Sequence, residues 1–411
     1  MKSFFKVLGL IVLGVVLVIA GFVGFIAMSG LPEYPDKLKK VDLKVEVTPA
    51  RVAKGRKIAT MLCNQCHFDP ATKKLSGNEL KELPAEFGTA FSKNITQHPT
   101  KGIGGWTDGE IAFILRTGVH PKTGLYVPPW MPKFLHMADE DLKSVIAFLR
   151  SDDPLVAPSD AENRESSPTL LAKGLARFMF KPYDYPSAPI PLPDTSNPVS
   201  FGKYIAFNYD CFTCHSGDFK EMDVQTPEKS LDFFGGGNRM GDINGKLVTT
   251  PNLTPDEATG IGKWTQDQFM RTMRTGVKPD GSVFMFPMVR ATYLTDLELR
   301  SLYAYLRTVP TINKAEVAND TYADAANGSR GRQLYYKYEC VRCHSTTDSG
   351  VVSVLGANEK YPEDSTLVDV ILNNHVYFPD SFMPMFNGHV STDDAMQLAA
   401  YVRELGKKKG S

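Results

Sequence analysis

The sequence predicts an all-α protein: three tandem helical domains with long loops, set behind one N-terminal transmembrane helix. Three observations predict it. One uncharged stretch opens the chain, one pattern recurs three times, and no segment shows the apolar–polar alternation of a half-buried strand. The 411 residues leave room for roughly two to four domains. Hydrophobic residues make up 42% and charged residues 22%, the balance of a chain that folds around a core. Lys plus Arg equals Asp plus Glu at 46 each, so no global field recruits nucleic acid.

Lys2 and Lys6 precede a stretch without charge from Val7 to Pro32, of which Val7 to Met28, 22 residues, is strongly apolar. A helix of that length is about 33 Å long, enough to cross the hydrocarbon layer. The lysines stay on the cytoplasmic side and everything after Pro32 is exported. Residues 7–29 are therefore expected to be a single-pass inner-membrane anchor with the domains in the periplasm. A cleaved signal peptide is the alternative, with Ala27-Met28-Ser29 as its small-x-small site.

Each repeat opens with a glycine-bearing helical stretch: Gly55-Arg56-Lys57, Gly202-Lys203-Tyr204 and Gly331-Arg332-Gln333. Each closes with an amphipathic helix ending alike, in Ala147-Phe148-Leu149-Arg150, Ala304-Tyr305-Leu306-Arg307 and Ala400-Tyr401-Val402-Arg403. A glycine admits close approach of another backbone or ring, and an aromatic can fill the contact, so first and last helices are expected to cross there. An offset of 158 also maps Asn94-Ile95-Thr96 on Asn252-Leu253-Thr254, Gly102-Ile103-Gly104 on Gly260-Ile261-Gly262, and Trp106-Thr107 on Trp264-Thr265. Thr107 and Thr265 are candidate helix N-caps. The expected domains are 49–152, 198–310 and 326–407. A proline-rich strap, 153–197, joins the first two, and its Thr169 to Phe180 stretch reads as one short helix. The apolar face of that helix (Leu170, Leu171, Leu175, Phe178) is read as interdomain packing in preference to membrane contact.

All six cysteines fall in three Cys-x-x-Cys-His motifs, Cys63-Asn64-Gln65-Cys66-His67, Cys211-Phe212-Thr213-Cys214-His215 and Cys340-Val341-Arg342-Cys343-His344. Residues i and i+3 share a helical face, so both thiols can bond one porphyrin while the following histidine reaches the iron. Three such motifs predict three covalently bound haem c groups. A zinc site would need paired Cys-x-x-Cys units converging on one metal.

A methionine stands before each closing helix: Met131 and Met288, each eight residues before Asp139 and Asp296, and Met383, eight before Ser391. With His67, His215 and His344 as the first ligands, these are the expected second ligands of iron. Met285 and Met385 are rivals, and Met137 reads as core or surface. His98, His120, His136, His375 and His389 recur in no repeat and read as surface or loop residues. Thioether and imidazole together leave iron six-coordinate, which suits electron relay and not oxygen activation.

The motifs resemble class I c-type cytochromes in all three repeats. The Asn252-Leu253-Thr254-Pro255-Asp256, Thr259-Gly260-Ile261-Gly262 and Trp264 series is similar to the multihaem cytochrome subunit of membrane-bound alcohol and sugar dehydrogenases. The resemblance implies tandem cytochrome c domains and a subunit without substrate chemistry of its own. It would take electrons from a quinoprotein or flavoprotein catalytic subunit and pass them toward quinone or an oxidase. It also implies that Trp106 and Trp264 pack near the haem propionates. A cytochrome subunit of a respiratory complex feeding a terminal oxidase is the first alternative, and a haem peroxidase-type enzyme the second.

Overall fold

The computed structural model describes residues 2–127, 130–322, 327–345, 352–378 and 381–407. Helices dominate. Among the described residues sheet is confined to three two-stranded pieces: Gly88–Thr89 antiparallel to Ser167–Pro168, Arg239–Gly241 antiparallel to Leu247–Thr249, and His344–Ser345 parallel to Val352–Ser353.

Lys2–Met28 is one helix of 27 residues, apolar and long enough to cross a membrane, and almost wholly exposed. Pro49–Leu62 packs on Asp139–Leu149, Pro198–Asn208 on Asp296–Leu306, and Arg330–Lys337 on Thr392–Gly406. Each pair crosses at the glycine that the sequence marks. A Cβ on Gly55 would lie 1.8 Å from the Ser144 carbonyl oxygen and 2.9 Å from Phe148 Cβ. On Gly202 it would meet Ser301 O at 1.8 Å and Tyr305 Cβ at 2.8 Å, and on Gly331 Gln397 O at 2.0 Å and Tyr401 Cβ at 2.9 Å. The expected crossing, with its aromatic filler, is present in all three repeats.

Local signals place the remaining helices. Thr107, Thr265 and Thr295 form capping boxes that start Asp108–Thr117, Gln266–Thr275 and Asp296–Leu306, and Ser391 caps Thr392–Gly406. Gly118 and Gly276 end the first two of these helices in the left-handed region. The arginine that closes each last helix turns back on the preceding loop. Arg150 donates to Ile103 O, Arg307 to Gly262 O and Arg403 to Tyr361 O. Three apolar clusters result, centred on Ile146–Phe148, on Phe207–Phe234 and on Leu334–Leu398; the third also takes in Val277 and Val283 from the second repeat.

The strap helix forms over Leu170–Phe178, capped by Thr169. Its apolar face is not the interdomain packing expected from sequence. Ala172 and Ala176 are buried, whereas Leu170, Leu171 and Phe178 are exposed.

Candidate haem-attachment sites

In each repeat the opening helix delivers the cysteine motif at its C-terminal end. Pro49–Leu62 runs through Cys63 into the turn Asn64–His67. In the other repeats a left-handed residue, Asp210 (φ 58°) or Glu339 (φ 56°), breaks the helix and re-aims the chain just before Cys211 and Cys340. The six cysteines are half-buried and unbridged. Burial pushes the thiols of Cys63, Cys211, Cys214, Cys340 and Cys343 up to about 12. They are neutral at physiological pH, unlike the low-pKa cysteines of redox and nucleophilic sites. No group of three or more His, Cys, Asp or Glu side chains forms a metal-ion cage among the described residues.

The carbonyls that orient two of the imidazoles escaped the sequence reading. His67 Nδ1 donates to Lys93 O at 2.7 Å, and His215 Nδ1 donates to Pro251 O at 3.0 Å. This fixes the tautomer and leaves each Nε2 free to meet iron. Burial also holds both rings below the ordinary histidine range, favouring the neutral, ligating form. Lys93 and Pro251 are related by the same offset of 158, and each directly precedes an Asn-x-Thr block. That block is a clamp. Asn252 Oδ1 accepts from Thr254 N (2.9 Å) and Oγ1 (2.7 Å), and Asn252 Nδ2 donates to Thr259 Oγ1 and Ile312 O. Asn94 repeats this with Thr96, Ser159 O and Ala161 O. All four clamp residues are buried. No such block follows His344 in sequence.

Met131 and Cys63 pack on the first apolar cluster together, and Met383 and Cys340 on the third. Met288 is 36% exposed, while Met285 is half-buried with its sulfur 3.5 Å from Asn319 Nδ2. The aspartates eight residues on have a job in this loop. Asp139 pairs with the fully buried Arg116 at 2.9 Å, and Arg116 also donates to Phe134 O, inside the Met131-Pro132-Lys133-Phe134 segment. Asp296 pairs with Arg274 at 2.9 Å, and Arg274 donates to Thr292 O. Trp106 packs on the first cluster, edge-on to His120 at 5.0 Å, and Trp264 packs on the second, its carbonyl taking the Tyr303 hydroxyl at 2.6 Å. His136 donates from Nε2 to Val224 O and His98 pairs with Asp160, structural roles in both cases.

The motifs of different repeats meet. Gln65, between the first pair of cysteines, donates to Pro287 O at 2.8 Å. Cys66 lies within electrostatic reach of Cys214, and Glu82 acts on both. Arg342, inside the third motif and 3% exposed, pairs at 2.9 Å with the fully buried Asp242 of the second repeat. Lys57 pairs with Glu298 at 2.5 Å, and Tyr204 donates to Asp141 at 2.6 Å, joining the first two repeats.

The family model described as cytochrome c matches residues 52–152 and 199–310. That of cytochrome c oxidase, cbb3-type, subunit III matches 326–402. The chain is 28% identical over 390 residues to the alcohol dehydrogenase (quinone) cytochrome c subunit of Gluconacetobacter polyoxogenes, covering 88% of this chain and 81% of the relative. It is 25% identical over 385 residues to that of Gluconobacter oxydans, covering 86% and 78%. With the gluconate 2-dehydrogenase cytochrome c subunit of Pantoea cypripedii it shares 25% over 338 residues, covering 75% and 74%. The chain belongs to the cytochrome c family, with covalently bound haem c as its cofactor, and is homologous to the cytochrome c subunits of quinone alcohol dehydrogenase and related multihaem dehydrogenases.

Proposed function

We propose that this protein is a membrane-anchored, three-haem relay on the periplasmic side of the inner membrane, the electron-transfer subunit of a dehydrogenase. Its three domains are those expected over 49–152, 198–310 and 326–407. Cys63 and Cys66, Cys211 and Cys214, and Cys340 and Cys343 form the thioether bonds. His67, His215 and His344, together with Met131, Met288 and Met383, would ligate the irons, and Trp106 and Trp264 would lie beside the propionates of the first two haems. Haem iron supplies one-electron exchange. The chain's own residues hold the imidazole orientation, exclude water and set the spacing.

The observation that carries the reading is that the second repeat contacts both other motifs: Pro287 O accepts from Gln65 in the first, and Asp242 pairs with Arg342 in the third. This supports an order in which the second repeat relays between the other two, with electrons entering at one terminal repeat and leaving at the other. The match of residues 326–402 to an oxidase subunit supports a second reading, in which the third haem feeds a terminal oxidase.

Two measurements test this. Native mass spectrometry of the purified complex should show three haem adducts and a retained N-terminus. A dehydrogenase catalytic subunit held with it supports the first reading, and an oxidase subunit the second. Met131→Ala, Met288→Ala and Met383→Ala should each abolish one third of the methionine-to-iron charge-transfer band, and Met285→Ala none. A wild-type haem that is already high-spin overturns the relay in favour of a haem enzyme.

A further inference from the structure

We infer that the strap helix Leu170–Phe178 is a second membrane contact, lying flat in the lipid headgroup region beside the N-terminal span. The inference rests on the proposed anchor and adds a lipid-facing surface to it.

The helix has three faces. At about 100° per residue, Leu170, Leu171, Leu175 and Phe178 fall within one arc of roughly 140°. Ala172 and Ala176 occupy the next arc, and Lys173 and Arg177 the last. The alanines are buried on the first domain, beside the short Ala85–Phe87 turn, and the Gly88–Thr89 and Ser167–Pro168 pairing holds the strap there. Among the described residues most of the leucine and phenylalanine face is open: Leu170, Leu171, Phe178 and the following Met179 are all exposed, Phe178 at 54%, and Leu175 is half-buried.

What lies beside that face is the end of the span. Lys173 Nζ donates to Ala27 O at 2.7 Å and Arg177 Nη2 to Gly30 O at 3.0 Å, while Phe178 packs on Phe22 with ring centroids 5.6 Å apart. If Lys6 marks the cytoplasmic boundary, the 20 residues from Val7 to Ile26 fill the roughly 30 Å hydrocarbon layer. Phe22 then lies about 6 Å inside the far boundary, and Phe178 at the same depth, the depth to which interfacial helices sink. The two basic side chains meet the span where it leaves the hydrocarbon, at headgroup level. A helix with apolar residues down, cations at the rim and small residues toward its own domain is built for a lipid surface. The second contact also restricts how the first domain tilts on its single tether.

The test uses the full-length haem-loaded chain in vesicles of phosphatidylcholine and phosphatidylglycerol. A nitroxide is placed at Phe178→Cys, at Leu171→Cys and, as reference, at Phe22→Cys. Each variant is first checked for the wild-type haem spectrum. At all three positions dissolved oxygen should relax the label more than a water-soluble nickel chelate does, with Phe178 and Phe22 at similar depth. Nickel accessibility at both Phe178 and Leu171 with a lipid-buried Phe22 overturns the inference and leaves the anchor standing. Nickel accessibility at Phe22 as well overturns the anchor itself. If the strap labels lose nickel access only when a catalytic subunit is added, the face is a protein contact and the inference is wrong.

Discussion

Replacing Gly202 by alanine puts one methyl group where two helices cross. That carbon would sit 1.8 Å from Ser301 O and 2.8 Å from Tyr305 Cβ, against an ordinary contact of 3.4 Å or more. The obstacle is a backbone carbonyl inside Asp296–Leu306 and cannot rotate away, so the helices must part by about 1.6 Å at the crossing. Alanine gains up to about 1 kcal/mol over glycine in a helix interior, whereas forcing extra volume into a packed contact costs about 1–3 kcal/mol, and more when backbone must move. A net loss of about 1–2 kcal/mol, or roughly 5–15 °C in the melting midpoint of a domain this size, is expected. Thermal melts of the haem-loaded chain by circular dichroism measure it. Gly174→Ala is the matched control: nothing lies within 4 Å of its Cβ position, so only the propensity gain remains. A Gly202→Ala midpoint equal to or above wild type would refute the close-crossing argument, and with it the reason the glycine recurs in all three repeats.

Other consequences are equally direct. Asn252→Ala leaves the buried Thr254 amide without its partner, at about 1–3 kcal/mol. It also loosens the Pro251 carbonyl, and weaker donation from His215 makes the ligand less basic, so a potentiometric titration should show one haem potential rise. Asn94→Ala should raise a different one. Asp242→Ala leaves the buried Arg342 with Glu339 as its remaining carboxylate partner, at a cost of about 1–3 kcal/mol, and should lower haem content in the third repeat selectively, read by mass spectrometry of tryptic fragments. The amide and hydroxyl of Thr259 hold the Asp256 carboxyl below its ordinary 3.8. Its contribution is therefore complete above 3.8 and disappears as pH falls through the depressed value. Asp256→Ala should be destabilised by a constant margin at neutral pH that closes in acid, as urea melts across pH would record.

Repetition made most of this legible. The glycines at 55, 202 and 331 and the aromatics at 148, 305 and 401 named the crossing partners because both ends of each contact recur at fixed positions. Thr107, Thr265 and Ser391 announced their helices through local capping chemistry. The carbonyls of Lys93 and Pro251 were invisible for a physical reason: a backbone acceptor carries no side-chain signature, and the two residues differ in type. Only the shared position before the Asn-x-Thr block points to them. The strap helix was found but its face misassigned, because periodicity shows that an apolar face exists and not what it meets. The contacts between motifs were beyond reach altogether, since Gln65 and Pro287 are 222 residues apart and in different repeats.

What recurs three times and what recurs twice separates two jobs. The crossing is common to all three repeats, and it fixes the helix from whose end each cysteine motif leaves. The Asn-x-Thr clamp acts later, on the hydrogen bond that tunes an imidazole already in place, and it belongs to the first two repeats alone. The third repeat keeps the scaffold, lacks the clamp, and matches a different family model. Its motif is instead braced from the second repeat, by Asp242 on Arg342. On this division the first two haems respond alike to loss of their clamps, whereas the third answers to changes in the second repeat. Resolving the three potentials in Asn94→Ala, Asn252→Ala and Asp242→Ala side by side tests it: if Asn252→Ala moves the third haem as far as the second, the clamp is not a local device and the separation of roles fails.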